Sequence, residues 1–294
     1  GGGGSLPLEA ARLGAEAHAV DLNPNAVLTM LGTADYPLRY TDEHFPLPAD
    51  GTGAATGSLD FSETGGSTAG LADAVEAWSE WVLSYARKRL APFYPEGPGG
   101  TPVGYFWAKT VPCGNPGCGI DVPLVSHRWL SRRSGKEPVA YRIEHAGDGT
   151  LTARILHGQA ARDDDPAQGT MRRGSARCPV CGSSLEPQEV KRAAREGRQR
   201  RWLYAVAEKG DNGMSFRAAT EEDRKVFDAA REELDRRITE HDDPFDALVP
   251  DEPMPPRRAY GIYPQLYGVE NWGQMFNPRQ NLALVVFAEA VRAA

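Results

Sequence analysis

Four cysteines in two close pairs constrain this 294-residue chain more than any other feature. The pairs are Cys113-Gly-Asn-Pro-Gly-Cys118 and Cys178-Pro-Val-Cys181, spaced C-x4-C and C-x2-C. A tight turn bearing two cysteines aims both sulfurs at one ion, and zinc takes four thiolates in a tetrahedron at about 2.3 Å. Gly114, Asn115, Pro116, Gly117 and Gly119 supply the first turn, Pro179 and Gly182 the second. Each pair reads as a zinc knuckle, and two knuckles on adjacent hairpins make a zinc ribbon. Cys113, Cys118, Cys178 and Cys181 are the expected ligands of one Zn2+. Four thiolates leave no open position for substrate, so the ion is expected to be structural. The stretch between the pairs is long for a ribbon, which implies an insertion with strands of its own. The alternatives are four unliganded buried thiols or a redox pair at Cys178 and Cys181. The redox reading lacks the helix N-terminus that would activate a thiol. His127 lies close to Cys118 in sequence, but with four cysteines present it reads as a surface or groove residue. So few cysteines, so paired, suit a reducing compartment, and a cytoplasmic location is expected.

A second constraint lies at the start. Gly1-Gly2-Gly3-Gly4-Ser5 runs into Leu6-Pro7-Leu8-Glu9-Ala10-Ala11-Arg12-Leu13-Gly14, then Ala15 to Leu22 and Asn23-Pro24. The pattern reads as glycine loop, short helix with Gly14 at its C-terminal cap, strand over Ala15–Leu22, and Asp21 near the strand's end. A glycine turn lets a ligand approach bare backbone, and a carboxylate about 20 residues on can hold a ribose diol. Gly2, Gly3, Gly4, Ser5, Asp21 and Asn23 are therefore candidate cofactor contacts. The competing reading of the first five residues is a plain linker.

The rest of the chain alternates helical and strand patterns. Asn23 and Pro24 cap a helix through Leu31, and residues 41–70, rich in Gly, Pro, Ser and Thr, read as a long irregular loop. Leu71, Val75, Trp78, Val82 and Tyr85 mark one helical face, which ends in Arg87, Lys88 and Arg89. Strands are expected at Val103–Val111, Val139–Glu144, Leu151–Leu156 and Trp202–Ala207. Thr220 and Asp223 form a capping box opening a charged helix to about His241. An acidic, proline-rich loop follows at 242–257. Asn277, Pro278 and Gln280 open the last helix.

A net charge of −7 does not favour whole-molecule binding to nucleic acid, so any such contact needs a local patch. One exists: between Pro187 and Arg201 stand Lys191, Arg192, Arg195, Arg198, Arg200 and Arg201 against Glu189 and Glu196. The bland alternative is a solvated helix face. No apolar run approaches the roughly 18 residues of a membrane span, and no membrane association is expected.

Taken together these runs resemble the adenine-specific DNA methyltransferases that carry an internal zinc ribbon, some of which belong to phage-defence systems. The matching stretches are Gly2–Ala10, the Asp-Leu-Asn-Pro run at Asp21–Pro24, Trp107–Val111, the first cysteine knuckle and Val122–Ser131. The Cys-Pro-Val-Cys-Gly run and Trp272–Gln280 complete the set. The resemblance implies S-adenosylmethionine as cofactor, methyl transfer to the exocyclic amine of adenine, and DNA as partner, with other proteins of a phage-defence system as further partners. It implies a partial Rossmann-like core, α/β in class, with a zinc-ribbon-containing α+β insertion. Expected boundaries are 1–100 for the cofactor part, 101–215 for the zinc-ribbon insertion and 216–294 for a helical return to the core. Residues 103–210 are expected to recognise DNA, with Arg132, Arg133, Lys136, Arg172, Arg173 and the 191–201 cluster as phosphate contacts. The chain departs from the family in two places. No Asp-Pro-Phe run precedes the glycines, and no Pro-Pro-Tyr loop exists, because Pro255-Pro256 is followed by Arg257. That loop grips the target amine, so the chain is expected to be an internal fragment of a larger enzyme, inactive alone, with no catalytic residue of its own. The competing class is a non-enzymatic zinc-ribbon module that binds nucleic acid or a protein partner.

Overall fold

The computed structural model describes residues 2–48, 68–147, 149–243, 246–255 and 264–294. Gly1, most of the loop expected at 41–70 and part of the one at 242–257 lie outside these. The chain is mixed α/β and divides into two units, Gly1–Arg89 with Val286–Ala294, and Leu90–Val285.

In the first unit, α1 (Ser5–Arg12) follows Gly4, whose φ of 81° is left-handed. A side chain there would meet Thr33 Oγ1 at 2.7 Å, so only glycine fits. Gly14 is left-handed beyond the helix end, as its cap position predicts. Helix α2 (Pro24–Met30) begins as expected, with the Asn23 side chain accepting from Asn25 N–H at 3.0 Å. It continues through a π-turn at Leu31–Asp35 into α3 (Tyr36–Arg39). Strand β1 (His44–Pro46) pairs antiparallel with β2 (Thr68–Gly70), so the ends of the 41–70 stretch are ordered against each other. Helix α4 (Leu71–Leu90) forms where the apolar spacing placed it, and Trp78 donates its indole N–H to the Pro46 carbonyl at 2.9 Å.

The strand expected over Ala15–Leu22 does not form: this stretch is irregular, and Val20 and Leu22 are exposed. An alternating sequence becomes a strand only when a neighbour supplies the ladder and buries one face. No strand lies beside it among the described residues. Leu6 and Leu13, at the two ends of α1, are exposed as well.

The second unit holds all the long strands. Its elements are β3 (Thr101–Pro112), β4 (Asp121–Pro123), β5 (Trp129–Ser131), β6 (Val139–His145), β7 (Leu151–His157), α5 (Gly158–Asp163), β8 (Met171–Arg172), β9 (Ser175–Arg177), β10 (Ser184–Leu185), α6 (Pro187–Arg195), β11 (Arg200–Gly210), β12 (Gly213–Ala218) and α7 (Glu221–Glu240). Helix α8 (Pro278–Ala293) starts in this unit and ends in the first. The strands make a four-stranded sheet in the order β12-β11-β3-β4, a meander β5-β6-β7 and a small sheet β10-β9-β8. All pairings in them are antiparallel. The meander is the insertion predicted between the cysteine pairs. The parallel strands of a Rossmann-like core are not formed among the described residues.

The main core gathers Val111 and Trp202 of the large sheet, Tyr141 and Leu151 of the meander, Ala176 and Leu185 of the small sheet, and Val190 and Ala193 of α6. Strand β11 is buried on both faces over much of its length, which explains its near-continuous apolar run Trp202–Ala207. Trp202 stays satisfied inside by donating its indole N–H to the Leu151 carbonyl at 3.2 Å.

Candidate metal centre

Strand β3 delivers Cys113 and β4 receives the chain after Cys118. The two strands are paired up to Pro112 opposite Asp121, so the knuckle is the hairpin's own loop. Cys113 N–H donates to Ile120 O at 2.8 Å, and Cys118 N–H to Asn115 O at 3.0 Å. Asn115 adds two local bonds: its N–H points at Cys113 Sγ (3.5 Å) and its side chain accepts from Gly117 N–H (3.0 Å). Gly119 closes the turn with φ 68°, a backbone state that favours glycine. The second knuckle repeats the design between β9 and β10, which pair at Arg177 opposite Ser184. Cys178 N–H donates to Ser183 O at 2.9 Å, and Gly182, at φ 74°, donates to Cys178 O at 3.0 Å.

The two hairpins bring together all four thiols, with every sulfur within 4.8 Å of the others. Cys113 and Cys181 sulfurs are 3.6 Å apart, and those of Cys118 and Cys178 are 3.7 Å apart. Sulfurs at about 2.3 Å from one ion in a tetrahedron stand about 3.8 Å from each other, so these spacings fit Zn2+. They are far beyond the roughly 2.05 Å of a disulfide, and all four cysteines are free. The arrangement supplies four soft donors and no carboxylate or histidine; exposed His127 is not part of it.

The four thiols differ in surroundings. Cys178 is buried in the main core, Cys113 and Cys118 are partly covered, and Cys181 is exposed. Burial pushes the Cys113 thiol up to about 12 and raises Cys118 as well. Cys181 goes the other way, to about 6, because the hydroxyl and backbone N–H of Ser183 favour its thiolate. At neutral pH Cys113 therefore stays protonated on its own, and coordination by a cation is what would ionise it.

The proposed cofactor residues come together in part. Asp21 Oδ2 accepts Gly2 N–H at 2.8 Å and Oδ1 accepts Asn23 N–H at 2.9 Å, so glycine loop and carboxylate meet across 19 positions of sequence. The Asn23 and Gly2 N–H groups, in that order, hold the Asp21 carboxyl down at about 2. Gly3 and Ser5 are exposed.

The basic cluster read from the sequence is divided. Arg192 and Arg195 are exposed on α6 with Lys191 beside them, while Val190, Ala193 and Ala194 form the buried face. Arg198 pairs with Glu196 at 2.6 Å in the turn that follows. Arg200 and Arg201 open β11 instead, and Arg200 pairs with Asp121 at 3.3 Å. Arg132 and Arg133 are exposed after β5, Arg132 lying over the Trp129 ring at 5.4 Å. Sequence reasoning missed Arg224 and Arg231 of α7, which line one cavity with Arg200 and Arg201. The signal was present: Arg224, Phe227 and Arg231 recur at helical spacing, so they share a face.

No protein-family model matches this chain, and neither a curated protein nor a solved structure matches it. Among the described residues, no helix is long and apolar enough to cross a membrane.

Proposed function

We propose that this chain is part of an S-adenosylmethionine-dependent DNA adenine (N6) methyltransferase, in which a structural zinc centre rigidifies a target-recognition module. The observation that carries the reading is the convergence of four thiols from two knuckles 60 positions apart, at spacings that fit Zn2+. Such a centre welds the ends of the β5–β7 insertion to the large sheet and spends no coordination position on substrate. The cofactor assignment rests on the order of sequence motifs, and the Gly2–Asp21 contact supports it. In this reading Asp21, which already gathers the Gly2 and Asn23 N–H groups, is the carboxylate that faces the ribose diol. When bound, the cofactor supplies the methyl group. The chain's own residues in that half-site bind and orient it: glycine backbone against its polar end, Asp21 against its sugar.

A zinc-ribbon module without enzymatic role is the second reading. It is favoured by the engagement of both Asp21 oxygens with backbone. Calorimetric titration of the zinc-loaded chain with S-adenosylmethionine separates the two. Binding that is lost in Asp21→Ala supports the methyltransferase reading; no binding, or binding indifferent to that substitution, overturns it. Metal analysis tests the centre itself, with one zinc per chain expected. The chain should not methylate DNA unaided, because it holds no Pro-Pro-Tyr run to orient the target amine.

A further inference from the structure

Two adjoining cavities, of about 510 and 410 Å3, share Arg200, Arg201, Trp202 and Arg224 in their walls. They lie where β3 and β11 meet α7, whose Phe227 packs on Trp107 with ring centroids 4.4 Å apart. Three carboxylates also line this cleft, and each has an arginine: Arg200–Asp121 at 3.3 Å, Arg224–Glu221 at 3.0 Å and Arg231–Asp228 at 3.2 Å. Arg201 is the fourth arginine and makes no ion pair among the described residues. It is reachable from solvent, yet its surroundings desolvate it enough to lower its pKa. Across the ladder it faces Lys109, a like charge, whose ammonium donates to the Tyr267 carbonyl at 3.0 Å. Two further groups are unsatisfied among the described residues: the hydroxyl of buried Thr110 and the indole N–H of Trp107. Each of them lines one of the two cavities.

A concave wall with surplus positive charge and unpaired donors calls for a ligand that is anionic and has several acceptor oxygens. Phosphate meets both conditions, and the guanidinium fork matches it. We infer that the cleft between β3, β11 and α7 binds a phosphate group, anchored on Arg201 and flanked by Arg200 and Arg224. The exposed pairs of Arg200 and Arg224 are worth little, so those arginines can exchange a carboxylate for the ligand. The inference does not need the methyltransferase assignment. The phosphate belongs either to a DNA backbone or to a free nucleotide.

The test uses the zinc-loaded full chain, with the Trp107 indole N–H resonance identified through Trp107→Phe. Sodium phosphate should shift that resonance where sodium chloride at equal ionic strength does not. Arg201→Gln should weaken phosphate binding about tenfold, or about 1.4 kcal/mol. Arg224→Gln, on a partly exposed helix face, should act in the same direction and keeps the test valid if the strand variant folds poorly. A labelled oligonucleotide that phosphate displaces and both variants weaken identifies the DNA backbone as the source. ATP binding without oligonucleotide binding identifies a free nucleotide. Equal shifts with chloride and phosphate, or unchanged phosphate affinity in both variants, overturn the inference. DNA binding lost on charge reversal of Arg192 and Arg195, yet indifferent to Arg201→Gln, excludes the DNA backbone as the cleft's ligand, and overturns the inference when ATP does not bind there either.

Discussion

Arg217→Met tests why β11, β12 and α7 hold one arrangement. Glu208 on β11 is 2% exposed, a carboxylate almost wholly out of water. Arg217 Nε donates to its Oε1 at 2.5 Å, and Gly99 N–H donates to Oε2 at 2.8 Å. The two terminal nitrogens of Arg217 grip both oxygens of Asp223, at 2.5 and 2.8 Å. Asp223 also completes the capping box of α7, its side chain accepting the N–H of the cap residue Thr220 at 2.7 Å. One guanidinium thus ties a sheet edge to a helix start. Methionine keeps most of its packing and removes its charge, leaving Glu208 with a single N–H. Stranding one partner of a buried pair costs about 3–5 kcal/mol, a large share of the 5–15 kcal/mol typical of whole domains. Urea unfolding of the zinc-loaded protein, followed by tryptophan fluorescence, reads this directly. Glu208→Gln in the same chain removes the stranded charge, so the double variant should cost less than the sum by about 1–3 kcal/mol. There is an acid signature as well. Burial pushes the Asp223 carboxyl up, but the bonds from Arg217 and Thr220 win and hold it at about 2. A depressed carboxylate contributes stability above its unfolded value near 3.9, and loses it as pH falls towards 2. That limb should flatten in Arg217→Met. A cost below about 1 kcal/mol, or strict additivity in the double variant, would refute the reasoning.

Three other outcomes are expected. Gly169→Ala drives a Cβ into the Val125 carbonyl oxygen and to 2.6 Å from the Ser126 carbonyl carbon, both backbone, so the substitution should lower stability by about 1–3 kcal/mol in a thermal melt; an unchanged melt contradicts the close approach. Cys178→Ser and Cys181→Ser should both lose zinc by elemental analysis, but only the first should also weaken the chelated protein, because Cys178 alone of the two is buried in the core; full zinc occupancy in either variant removes the four-thiolate centre. The Asn23 amide resonance should titrate with Asp21 at about pH 2, the loop closure being complete above about pH 4 and lost towards pH 2; a midpoint near 3.8 means that the Gly2–Asp21 bond is not formed in solution.

Features whose physics is local were legible in the sequence. Thr220 and Asp223 form the reciprocal cap. Asn277 and Gln280 form another, each side chain accepting the other's N–H at 3.0 and 2.9 Å. The knuckles too are short loops whose glycines, proline and asparagine dictate their own turns. Helix α4 and strands β3, β6, β7 and β11 followed from periodicity. Ala15–Leu22 failed for the opposite reason: its alternation needs a neighbour, and pairing is not written in the segment itself. The basic run at 191–201 misled in a similar way. Six cations close in sequence look like one patch, but a helix, a turn and a strand send them to different places. The cations that line the cleft come from two elements, and only the register of β11 against β3 and the packing of α7 bring them together. The Glu208–Arg217–Asp223 tie is nonlocal as well, and nothing in the spacing of those residues announces it.

The metal centre and the phosphate cleft share one strand. Strand β3 carries Trp107 and Thr110 along the cleft and ends in Pro112, immediately before Cys113 of the metal centre. Its partner β4 carries Asp121, the carboxylate that holds Arg200. Asp121 stands three positions after Cys118, so the geometry of the first knuckle fixes where that carboxylate stands. Burial disfavours ionisation of Cys113 and Cys118, and the hairpin that carries both and orients Asp121 is the one that a cation would lock. Zinc binding and phosphate binding are therefore coupled in sign. Chelation should loosen the hairpin whose ladder holds Thr110 and Arg200 in the cleft wall and so weaken phosphate affinity, even though the ion itself never touches the ligand. The coupling must be reciprocal: saturating phosphate should slow zinc loss to a chelator by stabilising the same hairpin. A phosphate affinity identical in the metal-loaded and chelated protein would separate the two sites and leave the knuckle a staple for the insertion alone.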